Sequence, residues 1–244
     1  MKRSINIKGT LVDLTTPLVM GILNVTPDSF SDGGKYSNLD AALQHAQKMV
    51  IEGASILDIG GYSSRPGAAE VSHQEELDRV MPVVEKLVVE TDAILSIDTF
   101  RSEVARSVVQ AGAHIVNDIS AGDDDDTMLS TVAKLGVPYI AMHKKGLPKT
   151  MQDNPKYGDV VTEVYSYLEA KVKQCTDAGI KDVVIDLGYG FGKSIDHNYE
   201  LLKRLEEFKE IGVPILTGVS RKSMIFKALD IKASEALNGT SFLH

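Results

Sequence analysis

The stretch Ala93-Ile94-Leu95-Ser96-Ile97-Asp98-Thr99-Phe100 decides the fold, together with the helical pattern over 101–111 and the return Gly112-Ala113-His114-Ile115-Val116-Asn117-Asp118-Ile119. Two nearly continuous apolar runs, each turning polar only at its carboxyl end, flank an amphipathic segment closed by glycine. Such runs suit parallel strands covered on both faces. The glycine suits the left-handed position just past a helix end. Further strands of the same kind are predicted at 17–24, 55–61, 138–143, 182–188 and 214–220, alongside 93–100 and 114–120. Helical patterns fill the gaps. One follows Asn38, read as an N-cap, through Leu39, Ala42, Leu43, Ala46, Met49 and Val50. Ser72-His73-Gln74-Glu75 has capping-box form and opens a helix to about Thr91. Others are read at 125–135, 159–178 and 198–211, and Gly53, Gly112, Gly136, Gly179 and Gly212 each stand just beyond such a helix.

These units run without a linker, a low-complexity segment or a break in composition, which predicts one domain over residues 1–244. They fit a TIM-type (β/α)8 barrel, seven of whose strands are read in this chain, better than a doubly wound sheet. The alternating first dozen residues predict a short hairpin ahead of it. Polarity falls in one place. Asn24, Asp58, Asp98, Asn117 with Asp118, His143, Asp186, and Ser220 with Lys222 stand at successive strand ends, where this fold builds its sites. Any one alone is an ordinary cap or turn residue. Their succession points to a shared site.

Composition narrows the class. The chain has 244 residues, 43% hydrophobic and 25% charged, close to a globular average. No apolar run approaches the roughly 20 residues of a membrane span. The basic start is followed by the alternating Ser4-Ile5-Asn6-Ile7-Lys8, which is no signal-peptide core. A single cysteine, Cys175, forbids an internal disulfide and fits a reducing compartment, so a cytoplasmic setting is expected. The net charge of −8 argues against non-specific nucleic-acid binding.

The glycine- and hydroxyl-rich loops at 24–34 and 60–67 let backbone N–H groups approach an anion, and Arg65 offers a fork for phosphate oxygens. Residues 186–194 suggest a nucleotide loop but fail on spacing, since Leu187 stands where a P-loop needs glycine. Gly218-Val219-Ser220-Arg221-Lys222-Ser223 brings Lys222 and Ser223 to a helix start, an anion site suited to a carboxylate or phosphate. The acidic run 123–126 reads as charges favoured at a helix N-terminus. His143 is an ambiguous acid or base, and Cys175 reads as packing. The histidines show no metal-ligand spacing.

Asn24-Val25-Thr26-Pro27-Asp28-Ser29-Phe30-Ser31-Asp32-Gly33, Asp58-Ile59-Gly60-Gly61 with Arg65-Pro66-Gly67, Ser96-Ile97-Asp98-Thr99, Val116-Asn117-Asp118-Ile119, Met142-His143, Gly190-Phe191-Gly192-Lys193 and Ser220-Arg221-Lys222-Ser223 resemble the dihydropteroate synthases. The motifs occur in the family's order along the whole chain. The resemblance implies a transferase of folate biosynthesis and a sulfonamide target, commonly a homodimer. It joins 6-hydroxymethyl-7,8-dihydropterin diphosphate to p-aminobenzoate, releasing pyrophosphate and 7,8-dihydropteroate. It implies that Asn24 helps hold Mg²⁺, with Ser64 and Arg65 near the diphosphate. Asp98, Asn117, Asp186 and Lys222 would surround the pterin, and Asp58 would belong to the floor. Pro66 and Phe191 would wall the aminobenzoate pocket, Ser223 would take its carboxylate, and Gly190, Gly218 and Ser220 complete the substrate-binding set. Asp98, Lys222 and Arg65 are the expected catalytic residues. The implied partners are these small molecules, with no nucleic acid and no membrane. A neutral arylamine needs no strong base, so the chemistry expected is departure of diphosphate followed by attack of the amine. Asp98 would stabilise the positive charge developing on the pterin methylene.

The family more commonly has Glu and Thr where this chain has Tyr62 and Ser64, proline at Leu187, and other pairs at Lys144-Lys145. Family members also continue to an eighth strand with an Arg-x-His motif that binds diphosphate. The sequence closes at Gly239-Thr240-Ser241-Phe242-Leu243-His244, within what should be the preceding helix, so a fragment of a longer protein is the expectation. Three rival readings remain. One is a non-catalytic pterin- or anion-binding relative, and another is the pterin domain of a methyltetrahydrofolate–corrinoid methyltransferase, against which the loops at 24–34 and 60–67 argue. The last is a Schiff-base aldolase using Lys222.

Overall fold

A computed structural model describes residues 2–26, 35–62, 71–146 and 150–244, with the side chains of 35–38 outside the description. The predicted hairpin is present as β1 (Ser4–Ile7) and β2 (Thr10–Asp13), paired antiparallel. Seven parallel strands follow in sequential order: β3 (Met20–Asn24), β4 (Ile56–Gly60), β5 (Ile94–Asp98), β6 (Ile115–Asp118), β7 (Tyr139–Met142), β8 (Val183–Asp186) and β9 (Ile215–Leu216). Helices α1 (Lys35–Ile51), α2 (His73–Glu90), α3 (Ser102–Gln110), α4 (Met128–Leu135), α5 (Val160–Asp177), α6 (Ile195–Lys203), α7 (Ser223–Phe226) and α8 (Leu237–Leu243) alternate with or follow them. The sheet curls as a barrel wall, and among the described residues no strand joins β9 to β3.

Side chains alternate along a strand, so residues two apart share a face. On the concave face the lower positions are apolar. Ile56, Ile115, Ile140 and Val184 bury against Ile5 and Ile7, with Val12, Leu14, Leu18 and Met20 packed alongside. The hairpin thus plugs the amino end of the barrel. Two residues further along, the same face carries Asp58, Asn117, Met142 and Asp186. An apolar plug below and a polar mouth above result from the strand period alone.

The convex face buries Leu57, Ile59, Leu95, Ile97 and Val116 against Val80, Val84 and Leu87 of α2 and Val104 and Val108 of α3. Each such side chain contributes roughly 1.5–3 kcal/mol by leaving water. A second cluster packs Val164 and Leu168 of α5 against Ile185, Leu201 and Phe208. The capping box of α2 is formed: Glu75 N–H donates to Ser72 Oγ at 3.2 Å, and Ser72 N–H donates to the Glu75 carboxylate at 2.9 Å. The five post-helix glycines all have φ between +67° and +127°.

Several boundaries move. Helix α1 begins at Lys35, so Asn38 lies inside it rather than at its cap. Helix α6 begins at Ile195 rather than 198, because Ser194 Oγ accepts from His197 N–H while His197 Nδ1 accepts from Ser194 N–H. Histidine closes that box in place of the usual Glu or Gln. The predicted continuation to 211 is a 3₁₀ turn, Leu205–Ile211. Among the described residues strand β9 pairs with β8 alone, and it keeps only two paired residues of the expected 214–220. Helix α4 starts at Met128, after the acidic run rather than within it. Asp123 pairs with Lys171 and accepts from Tyr167, Asp124 pairs with Lys144, and Asp125 accepts from Ser102 N–H at 2.7 Å. Asp123 and Asp124 thus brace loops, while Asp125 keeps a helix-start role, accepting from the first N–H of α3 and from Thr127 N–H at the entry to α4. No helix among the described residues is long and apolar enough to cross a membrane.

Candidate active site

Parallel register sets Asn24, Gly60, Asp98 and Asn117 in one row across β3, β4, β5 and β6. Asn117 Nδ2 reaches over β5 and donates to Asp58 Oδ2 at 2.9 Å. Glycine at position 60 keeps the centre of the row open. A Cβ there would lie 3.4 Å from Asp98 Oδ2 and 3.5 Å from Asn24 Oδ1. The mouth therefore gathers three carboxylates, and each is raised above the ordinary carboxylate value. Burial is the main cause for Asp58, with Asn117 opposing it and Asp186 adding to it. Asp98 is raised well above 3.8 by burial and by Asp58, while the hydrogen bond from Tyr62 pulls it down. Asp186 is raised by burial and held down by Lys222, by Gly188 N–H and by Lys193.

The loop between β8 and α6 closes one side. Gly188 N–H donates to Asp186 Oδ1 at 2.8 Å. Lys193 is 2% exposed and turns its ammonium into the loop, donating to the carbonyls of Gly188 at 2.8 Å, Phe191 at 3.1 Å and His143 at 3.3 Å. Burial pulls its pKa down to about 7. Lys222 donates to Tyr189 O at 2.6 Å and lies 5.2 Å from the Phe191 ring centroid. Gln152 Nε2 donates to Gly190 O from the preceding loop. Beside the carboxylates, Tyr62, Ile119 and Met142 form an apolar cluster against which Val71, Phe100 and Phe191 pack. Charged edges and an apolar shelf in one mouth suit a flat heterocycle with polar rims.

Asp58, Asp98, Asn117, Asp186, Gly190, Phe191, Gly218 and Lys222 thus share one mouth, with Asn24 at its rim. Ser220 is exposed and Ser223 half-buried on the same turn as Lys222. Ser64, Arg65 and Pro66 lie outside the described residues. The stems of their loop are fastened, however. Arg79 donates to Gly61 O at 2.9 Å, and Arg101 donates to Val71 O at 2.5 Å while pairing with the fully buried Glu76. His143 is buried, and burial and Lys193 push its pKa down to about 2, which holds the imidazole neutral. Cys175 is buried and its thiol is pushed up to about 12, as packing predicts. Tyr62, Ile119 and Met142 were not singled out as site residues from sequence. The last two read as ordinary strand-end hydrophobes, and only the departure from the family's usual Glu marked Tyr62. Among the described residues no group of three or more His, Cys, Asp or Glu side chains could hold a metal ion.

Residues 20–244 match the family of pterin-binding enzymes. The chain is 49% identical over 235 residues to dihydropteroate synthase of Escherichia coli K12, covering 96% of this chain and 83% of that one. Among solved structures, Yersinia pestis dihydropteroate synthase in complex with a sulfonamide drug superposes with a TM-score of 0.92 at 47% identity, covering 98% of this chain and 88% of that one. Xanthomonas albilineans dihydropteroate synthase with 4-aminobenzoic acid gives a TM-score of 0.93 at 43% identity, with coverages of 100% and 88%. With the strand-end residues in place and likeness of this extent over the whole fold, the chain belongs to the dihydropteroate synthases.

Proposed function

We propose that this chain joins 6-hydroxymethyl-7,8-dihydropterin diphosphate to p-aminobenzoate, forming 7,8-dihydropteroate and pyrophosphate. The observation that carries this reading is the gathering of Asp58, Asp98, Asn117 and Asp186 at the carboxyl mouth of the sheet, with the Lys222 ammonium close enough to hold the Asp186 carboxyl down. Asp186 accepts hydrogen bonds from the pterin amino and ring N–H groups, and Lys222 swings from Tyr189 O to meet the ring carbonyl. Ile119 and Met142 offer an apolar face to the ring, while Phe191 walls the aminobenzoate side. Ser223, on the Lys222 turn, takes the aminobenzoate carboxylate, and Ser64, Arg65 and Pro66 approach from the second loop.

The C–O bond to diphosphate breaks first, and the amine nitrogen then bonds to the methylene carbon and loses a proton to solvent. Asp98, in a site poor in water, stabilises the cationic methylene between those steps. Asn24 fits a Mg²⁺ ion. It is an exposed neutral oxygen donor beside the opening at Gly60, and Mg²⁺ takes most of its ligands from water and substrate phosphate. When bound, that ion offsets charge on the departing diphosphate. The same reading includes one domain over residues 1–244, a cytoplasmic setting and a homodimer. Helices packed against one sheet and the buried lone Cys175 support the first two, and the family resemblance the third.

The test is pyrophosphate release from the pterin diphosphate with Mg²⁺, with and without p-aminobenzoate. Release that requires p-aminobenzoate supports the synthase. Pterin binding without such release favours a binding protein instead.

A further inference from the structure

We infer that Tyr62 is a positioning residue for Asp98: its hydroxyl fixes Oδ1 and leaves Oδ2 as the single oxygen offered to the pterin. The inference rests on the reading of this mouth as a pterin site. Tyr62 is buried at the end of β4, with its ring edge-on to Phe100 at a centroid distance of 5.1 Å and an interplanar angle of 88°. Ile119 and Met142 belong to the same buried cluster. Held this way, the hydroxyl donates to Asp98 Oδ1 at 3.0 Å. The other carboxylate oxygen lies over Gly60 and faces the opening shared with Asn24. The absent side chain at 60 clears one side of the carboxylate and the phenol occupies the other.

Burial and the nearby Asp98 push the Tyr62 hydroxyl well above the usual phenol range, so it keeps its proton and donates. Asp58, Asp118 and Glu76 also bear on Asp98, and all three are carboxylates. Tyr62 is therefore a neutral donor amid like charges. The terminal torsion of an aspartate is broad, and a carboxylate free to turn would offer either oxygen. A donor bonded to a carboxylate makes one of the stronger hydrogen bonds available, and here it selects the rotamer. A single fixed acceptor discriminates for a ring that presents an N–H at that point, because a buried polar group left unpaired is costly.

The experiment measures the affinity of 6-hydroxymethylpterin by calorimetry for the unaltered chain, Tyr62→Phe, Asp98→Asn and the double variant. Tyr62→Phe should weaken binding about tenfold, the usual scale for a hydrogen bond to a charged group. In the Asp98→Asn background the same change should have no further effect, since residues acting as a unit are not additive. The inference is overturned if Tyr62→Phe binds like the unaltered chain, or if the two losses multiply. An unaltered chain that binds no pterin overturns the functional reading itself, and this inference with it.

Discussion

The ammonium of Lys193 sits 2.8 Å from the carbonyl oxygen of Gly188, inside the loop that carries Phe191. It takes the place that a water or a metal ion often fills in a loop whose carbonyls turn inward. The lysine spans two loops, because its third partner is the carbonyl of His143 at the end of β7.

Lys193→Met should therefore destabilise the chain at pH 7 by about 2–4 kcal/mol, leaving several buried acceptors without donors. The pH dependence identifies the cause. Burial places the native pKa of this base near 7, below its ordinary 10.5. Between those values the unfolded chain binds more protons than the native one, so this group makes stability rise with pH. Urea midpoints at pH 7, 8 and 9 should show a gap between the two proteins that widens upward. A constant gap would mean that the lysine is neutral, or fully charged, in both states.

Two glycines with nearly the same φ separate strain from space. Gly188 has φ +64° and Gly136 has φ +67°. A Cβ at Gly136 meets nothing within 4 Å, whereas one at Gly188 would run into the carbonyl oxygen of His143. Gly136→Ala should cost about 1–2 kcal/mol, the left-handed penalty alone. Gly188→Ala should cost more than about 3 kcal/mol and abolish turnover, since the loop must leave His143 to make room. Equal losses in thermal melts would show that the contact between the two loops does not constrain this position.

What the sequence revealed and what it hid follow one division. Strand ends were legible because a period of two carries Ile56 to Asp58, Ile115 to Asn117 and Val184 to Asp186 on one face. The hairpin was legible as a hairpin, but its role as the barrel plug was not, because Ile5 and Ile7 find their partners through the tertiary fold. Long-range polar pairings were also hidden. The acids at 123–126 looked like helix-start charges, yet Lys171 and Lys144, the partners of Asp123 and Asp124, come from distant segments. Lys193 was visible only within a motif, and nothing local signals that its amine points inward.

Recognition by Asp186 and Phe191 should separate by substrate. Asp186→Asn replaces an acceptor pair with one acceptor and one donor, so pterin affinity should fall about 100-fold or more. Phe191→Ala should raise the p-aminobenzoate KM at least about tenfold and leave pterin affinity within about threefold. Calorimetry with the pterin and steady-state rates with each substrate varied would show the split. If both variants weakened both substrates alike, the loop would act as one unit and the assignment of walls would fail.

The crowding of Asp58, Asp98 and Asp186 has a cost in the unliganded protein. Each has a native pKa above the ordinary carboxylate value of 3.8, chiefly through burial. Between 3.8 and the raised value the native chain binds more protons than the unfolded one, so each carboxylate makes stability fall as pH rises through that window. The stability of the unliganded chain should thus be greater near pH 5 than near pH 8 so far as these groups decide it. Asp58→Asn tests the sign directly. The amide oxygen can still accept from Asn117, while the buried charge and its repulsion of Asp98 and Asp186 are removed. The variant should be more stable than the unaltered chain by about 1–2 kcal/mol at pH 8, with the gain shrinking as the pH falls toward 3.8, and should turn over more slowly. A variant less stable at pH 8 would show that Asp58 is held by compensating donors, and that the site is built at no cost to the fold.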